Sequence, residues 1–191
     1  MADSDTVSEQ LFVLPDNPKF KEDPEGIEFS NHLFASETTG KAKITLNLNG
    51  WEKELIDYES QQPDFVCWLR NPNRASWGLC IPYEYQNETK GFHPDFLVIS
   101  RRNDSYVVDI LEPHGDQFDD NLAKAKGLAK YAKKEDRFRR IQLIRKIKDN
   151  VTGKTRFIRL EFNDREIREK VLQANTNDEL RNIILNYGTA E

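Results

Sequence analysis

Asp95 follows Pro94 at the start of an apolar run, PDFLVIS, and Asp109 lies near the far end of the next, YVVDILE. The polar stretch RRNDS between them is a hairpin signal. In an antiparallel hairpin, directly opposed residues share one face of the sheet. A turn centred on Arg102 opposes Asp95 to Asp109. A tighter turn over Asn103 and Asp104 opposes Asp95 to Glu112 instead. Side chains alternate, so a regular strand cannot send both Asp109 and Glu112 to the face of Asp95. A bulge, or the strand end near Pro113, would relax that. Two opposed carboxylates repel, and a divalent cation between them is a physical reason for the arrangement. Mg²⁺ prefers oxygen ligands and keeps several waters. It activates water and neutralises phosphate in transfer chemistry. Two acids at exposed strand ends would give the same spacing without any such role.

A third carboxylate is available from the segment WEKELIDYE, where Glu52 and Glu54 are candidates; the plainer reading is a solvated helix face. The segment EPHGD adds Glu112 and His114 near the same strand end, and a lone histidine there is more often a structural hydrogen-bonder than a base. Zinc is not expected, because His32, His93 and His114 do not pair with Cys67 and Cys80 at ligand spacing. The two cysteines read as buried free thiols of a reducing cytoplasm. A Walker-type phosphate loop is missing, so nucleotide hydrolysis is not expected of this chain.

The elements that must position these side chains follow from periodicity. KAKITLNL alternates as a strand, and Asn49 can cap a helix from Trp51, with Trp51, Leu55 and Tyr58 on one face. DFVCWLRN and LCIPYEY read as strands, the latter irregular or at an edge because of Pro82. The 94–112 hairpin follows. The spacing then predicts a helix from about Gln117 to Lys134, with Phe118, Leu122, Ala125, Ala129 and Ala132 as its apolar stripe. RIQLIRKI and TRFIRLEF are further strands, and helices over DREIREKVL and TNDELRNIILNYG close the chain. Strands bracketed by helices suggest an α/β fold, a mixed sheet covered on both faces.

The 191 residues suit one domain with a tail or appended subdomain. Residues 1–40 read as a tail or linker, 41–162 as the core, and 163–191 as C-terminal helices packing on it. No apolar run approaches the ~20 residues needed to span a bilayer, and the acidic MADSDTVSEQ is not a signal peptide. The net charge of −5 argues against a generally basic nucleic-acid surface but not against a local one. Lys and Arg gather between Lys124 and Arg159, where phosphate contacts are expected.

The succession NGWEKEL, VCWLRN, IPYEY, FHPDFLV, YVVDILEPHGD and NLAKAKGLAKYA resembles the C-terminal PD-(D/E)XK nuclease-like domain that follows the helicase in type III restriction-enzyme-like and related DEAD/DEAH-box proteins. The resemblance covers about residues 40–135. It implies a restriction-endonuclease-like three-layer fold, a central mixed sheet flanked by helices, that binds Mg²⁺ or Mn²⁺ and cuts phosphodiester bonds. It puts metal roles on Asp95 and Asp109 and an accessory acid role on Glu52; Glu112, from the tighter turn, is a further candidate ligand. DNA is then the substrate, and residues 1–40 lead from an upstream helicase region. A restriction, phage-defence or DNA-processing role in the cytoplasm is the corresponding expectation. The pattern expects Lys two residues after the second acid, and with Asp109 in that role the position is Leu111. Lys124, Lys126 and Lys130 on the next helix are candidate replacements, and Lys126 beside the apolar stripe is the one proposed. The alternative is a decayed nuclease fold that binds DNA or a partner protein without cutting.

Overall fold

The computed structural model describes Val13, Asp23 and residues 25–35, 38–73, 75–115, 119–148, 153 and 155–191. In chain order the elements are β1 (Ile27–Ser30), β2 (Lys41–Ile44), α1 (Gly50–Ser60), β3 (Phe65–Arg70), β4 (Ile81–Tyr85), β5 (Glu88–Phe92) and β6 (Phe96–Arg102). They continue with β7 (Ser105–Pro113), α2 (Asn121–Lys134), β8 (Phe138–Lys148), β9 (Thr155–Glu161), α3 (Arg165–Gln173), α4 (Asn177–Tyr187) and β10 (Thr189–Ala190). Six strands form the central sheet in the order β10-β9-β8-β7-β6-β3. Its neighbours are antiparallel except β7 and β8, which are parallel and joined through α2. The expected mixed sheet flanked by helices is what forms.

The strands are amphipathic in two directions, as a sheet buried on both faces requires. Leu97, Ile110, Ile141, Leu143, Ile158 and Leu160 face one side and pack with α2, α3 and α4. Phe96, Val98, Leu111 and Ile144 face the other and pack with Leu55 and Ile56 of α1. Trp68 of β3 lies in that second layer, and its indole N–H donates to Ser30 O at 3.0 Å. The edge-on ring of His32, 4.6 Å away, ties β1 to the same layer.

The turn between β6 and β7 decides the site. Arg102 pairs with Ser105, leaving the two-residue loop Asn103–Asp104, and Asn103 takes φ 55°. Asn tolerates that left-handed conformation, and such short loops match the twist of the flanking strands. The tighter of the two turns is therefore the one adopted, and Asp109 faces Val98 rather than Asp95.

Two elements differ from expectation, and one was not assigned. The unassigned one is β5, which returns along β4 through Gln86 and Asn87, both at positive φ, and this small hairpin lies over α2. Gly127 permits the approach, because a Cβ there would lie 2.9 Å from Tyr83 Cβ and 3.0 Å from Pro82 O. Ile27–Ser30, expected in the tail, pairs with β2. The helix α2 begins at Asn121 rather than near Gln117. Its stripe is Ala125, Leu128, Ala129 and Ala132, with Leu122 half-buried; Phe118 lies outside the described residues. Among the described residues, no helix is long and apolar enough to cross a membrane.

Candidate functional site

Helix α1 turns two glutamates inward, one near each end. Asn49 caps it with a capping box: the Asn49 side chain accepts from Glu52 N at 3.0 Å, and Glu52 Oε2 accepts from Asn49 N at 2.8 Å. The box holds Glu52, buried, against the sheet. Two turns later Glu59 is buried as well. The expectation of a solvated face is met by Glu54, which is exposed, but not by Glu52.

Glu52 belongs to a cluster at the end of the sheet, where β6 starts and β7 stops. Its Oε1 accepts from Arg70 Nη1 at 3.1 Å, and Arg70 Nη2 meets Asp95 Oδ1 at 2.8 Å. The guanidinium lies 4.9 Å above the Phe96 ring, which fixes its plane. One step beyond the β6–β7 ladder, Asp95 N donates to Glu112 Oε2 at 2.9 Å. The other oxygen of Glu112 stands 3.3 Å from His114 Nδ1. His114 Nε2 meets Asn121 Oδ1, and Asn121 Nδ2 donates to Gly115 O at 3.0 Å. The Asn121 amide thus presents its oxygen to Nε2 of the imidazole, while Nδ1 faces Glu112. The first turns of α1 and α2 both reach this cluster, and their positive dipole ends offset its acids.

That offset is incomplete. Burial, together with the charges of Glu112 and Glu52, pushes the Asp95 carboxyl up to about 8, against the opposing effect of Arg70 and Lys124. The cluster has more carboxylate than cation.

Asp109 is elsewhere. It points to the α1 face, fully buried, and is held by two arginines of β8: Arg139 Nε at 2.9 Å and Arg140 Nη2 at 2.8 Å. Arg140 also pairs with Glu59 at 2.7 Å, and Glu59 with Arg159 at 2.7 Å. With its charge met by arginines on the opposite side of the strand from Glu112, Asp109 does not join Asp95. The pairing of Asp95 with Asp109 is thus replaced by Asp95 with Glu112.

Lys126 does not join the acids either. The lysine whose charge acts on Asp95 is Lys124, which pairs with Asp120 at 3.1 Å. Lys126 is two residues further on, about 200° around the helix from it. Lys130 is exposed. Two members of the cluster carried no assigned role in the sequence, Arg70 and Asn121. Arg70 stands inside the run VCWLRN, and alternation from Trp68 would have put it on the same face; Asn121 offers no signal beyond its place at the start of a helix. Both cysteines are free and half-buried rather than fully buried.

Among the described residues, no three or more His, Cys, Asp or Glu side chains are grouped so as to hold a metal ion. Arg70 stands between Glu52 and Asp95. The donor set still suits Mg²⁺ or Mn²⁺, since such ions are commonly held by one or two carboxylates, waters and substrate phosphate. Asp95 and Glu112 supply two adjacent carboxylates short of positive charge.

Residues 30–187 match the YagJ family, a span that takes in the whole cluster. The chain belongs to the YagJ family. Protein YagJ of Escherichia coli (strain K12) is 32% identical over 138 residues, covering 71% of this chain and 54% of the relative. The chain thus spans about half the length of that YagJ protein. No solved structure matches it. Neither the family name nor that of the relative states an activity.

Proposed function

We propose that the chain is a divalent-metal-dependent phosphodiesterase domain acting on DNA, with Asp95 and Glu112 as the metal-holding pair. The observation that carries the reading is the gathering of Asp95, Glu112 and Glu52 at one sheet end with too little positive charge. Buried like charges persist where they have a task. The re-registered pair also removes the difficulty at Leu111. With Glu112 as the second acid, the residue two positions on is His114, an ionisable side chain at the position where the resembled family has its lysine.

When bound, the ion would supply Lewis-acid polarisation of a phosphoryl oxygen and a more acidic water. The chain's own groups do the rest. Asp95 N–H orients the Glu112 carboxylate. Asn121 fixes the His114 ring, so that Nδ1 exchanges a proton with Glu112 or with a solvent molecule displacing it. Arg70 balances Glu52 and Asp95 and is the nearest fixed cation for charge developing on phosphate. An upstream helicase partner, a restriction or phage-defence setting and a cytoplasmic location belong to this proposal through the sequence resemblance alone.

A second reading is a decayed site that binds without cutting. The ion pair of Arg70 with Asp95 favours it, because a guanidinium there already serves as the counter-charge. Incubating plasmid and single-stranded DNA with the protein in Mg²⁺ or Mn²⁺ decides between them. Cleavage that EDTA stops, and that Glu112→Gln and His114→Ala each reduce by about 10²-fold or more, supports cutting. No cleavage by the unmodified protein in either metal, with DNA still bound, supports the second reading.

A further inference from the structure

Arg70 serves two carboxylates through two different nitrogens, and the two contacts are not alike. On one side Nη1 donates to Glu52 Oε1 at 3.1 Å. Glu52 is held in place, because its other oxygen accepts from Asn49 N at 2.8 Å and closes the capping box of α1. Its side chain is 9% exposed. On the other side Nη2 meets Asp95 Oδ1 at 2.8 Å, and these two side chains are more open, at 24% for Arg70 and 23% for Asp95. The guanidinium rests on the ring of Phe96, the residue paired with Arg70 across β3 and β6. The Glu52 contact is thus enclosed, and the Asp95 contact lies nearer to solvent.

Asp95 has anchors of its own. Its backbone N donates to Glu112 Oε2 at 2.9 Å, and its backbone O accepts from Asn71 N at 3.0 Å. A change of partner at its carboxylate therefore leaves its main chain in place. Asp95 Oδ1 is poorly able to ligate a divalent ion beside Glu112 and keep a guanidinium at 2.8 Å, since the two cations repel. A guanidinium carries its donors in a planar fork that matches phosphate oxygens. Arg70 can give up one acid and keep the other.

We propose that Arg70 exchanges partners when the metal pair is filled: Nη2 leaves Asp95 and takes a phosphate oxygen of a DNA strand, while Nη1 stays on Glu52. The inference rests on the metal site proposed above and adds that cation and phosphodiester bind as a coupled pair. Such coupling is reciprocal, so each ligand raises the affinity for the other by the same factor. Without the cation, Arg70 is engaged by Asp95 and contributes little to holding DNA.

The test compares the wild type with Arg70→Met and Arg70→Lys. Mn²⁺ binding is followed by the electron paramagnetic resonance of the free ion. DNA binding is followed by fluorescence anisotropy of a labelled single-stranded phosphorothioate oligonucleotide, in EDTA and in saturating Mn²⁺ at equal ionic strength. Met keeps an apolar stem on Phe96 and removes the charge. Arg70→Met should bind Mn²⁺ about tenfold more tightly, because no guanidinium has to leave, and the oligonucleotide about tenfold more weakly in Mn²⁺. In EDTA its oligonucleotide affinity should equal that of the wild type. An uncharged methylphosphonate oligonucleotide should not distinguish the two proteins. Should Arg70→Met fail to melt cooperatively, Arg70→Lys decides: it keeps the charge without the fork, so it should lose oligonucleotide affinity in Mn²⁺ only. Oligonucleotide affinity that falls equally in EDTA and in Mn²⁺ overturns the exchange, and so does Mn²⁺ binding that weakens or stays the same in Arg70→Met. Either result from a protein whose wild type binds Mn²⁺ sinks the exchange alone. No Mn²⁺ binding by wild type and Arg70→Met alike sinks the metal site and the exchange with it. Proteins that show the full pattern yet never cut sink only the nuclease reading.

Discussion

Replacing Asp95 with Asn should stabilise the metal-free protein at pH 7–8 and leave it nearly unchanged at pH 4. Burial and the charges of Glu112 and Glu52 lift the Asp95 carboxyl from 3.8 to about 8 on folding. A group whose pKa is raised in the fold favours folding fully below its unfolded value, and that contribution is lost as pH rises through the folded one. Between pH 4 and pH 7 the unfolded chain has released a proton that the folded chain still holds. At 1.36 kcal/mol per unit, the loss by pH 7 is on the order of 4 kcal/mol. Asn keeps the shape and an acceptor for Arg70 but never ionises. For a domain of this size that difference corresponds to a Tm higher by on the order of 10 °C at pH 7, closing towards pH 4. Thermal melts followed by circular dichroism in EDTA, from pH 4 to pH 8, measure it. Excess Mg²⁺ should then raise the wild-type Tm and not that of the variant. Parallel pH curves for the two proteins, or an Asn variant that is the less stable at pH 8, would mean that folding does not raise the Asp95 carboxyl.

Asp109→Ala should instead destabilise the protein, by about 3 kcal/mol in denaturant titrations at pH 7, because it removes the fully buried carboxylate that Arg139 and Arg140 share and leaves them only Asp64 and Glu59; a neutral effect would mean that those two acids and water replace it. His32 is held down to about 4 by burial, so its contribution to stability is complete above 6.5 and lost as pH falls through 4, about 3 kcal/mol in all. His32→Asn should flatten that acid limb, and an unchanged limb would place the titration elsewhere. Gly127→Ala should lower stability by about 1–3 kcal/mol despite the better helix propensity of Ala, through the contact with Tyr83 and Pro82; a gain in Tm would show that β4 shifts without cost.

Much of the frame was legible in the sequence because it is written in periods. Runs such as FLVIS and RIQLIRKI, short and rich in β-branched residues, read as strands, and Asn49 followed three residues later by Glu52 announces a helix start. The site was legible only up to a choice of turn. Asn103 carries the deciding signal, since a residue tolerant of positive φ favours the two-residue loop, and the resulting shift of three positions along β7, an odd number that also exchanges the faces, replaces Asp109 by Glu112 opposite Asp95. The loss of Lys126 has the same kind of cause: the pattern marks the helix, but only the packed helix shows that Lys124, not Lys126, is on the side of the acids. Arg70 and the Asp109 arginines were hidden because long-range ion pairs leave no periodic trace. The return strand over residues 88–92 went unassigned because Gln86 is an unusual choice for a turn position at positive φ.

Crystals soaked in Mn²⁺ and measured at the manganese absorption edge would show whether Asp95 and Glu112, rather than Asp95 and Asp109, hold a divalent cation. An anomalous peak is expected at about 2.0–2.3 Å from carboxylate oxygens of both Asp95 and Glu112, with Arg70 drawn away from Asp95. A peak bound to Asp109, or a fully soaked crystal with Arg70 still on Asp95 and no peak beside it, would contradict that assignment.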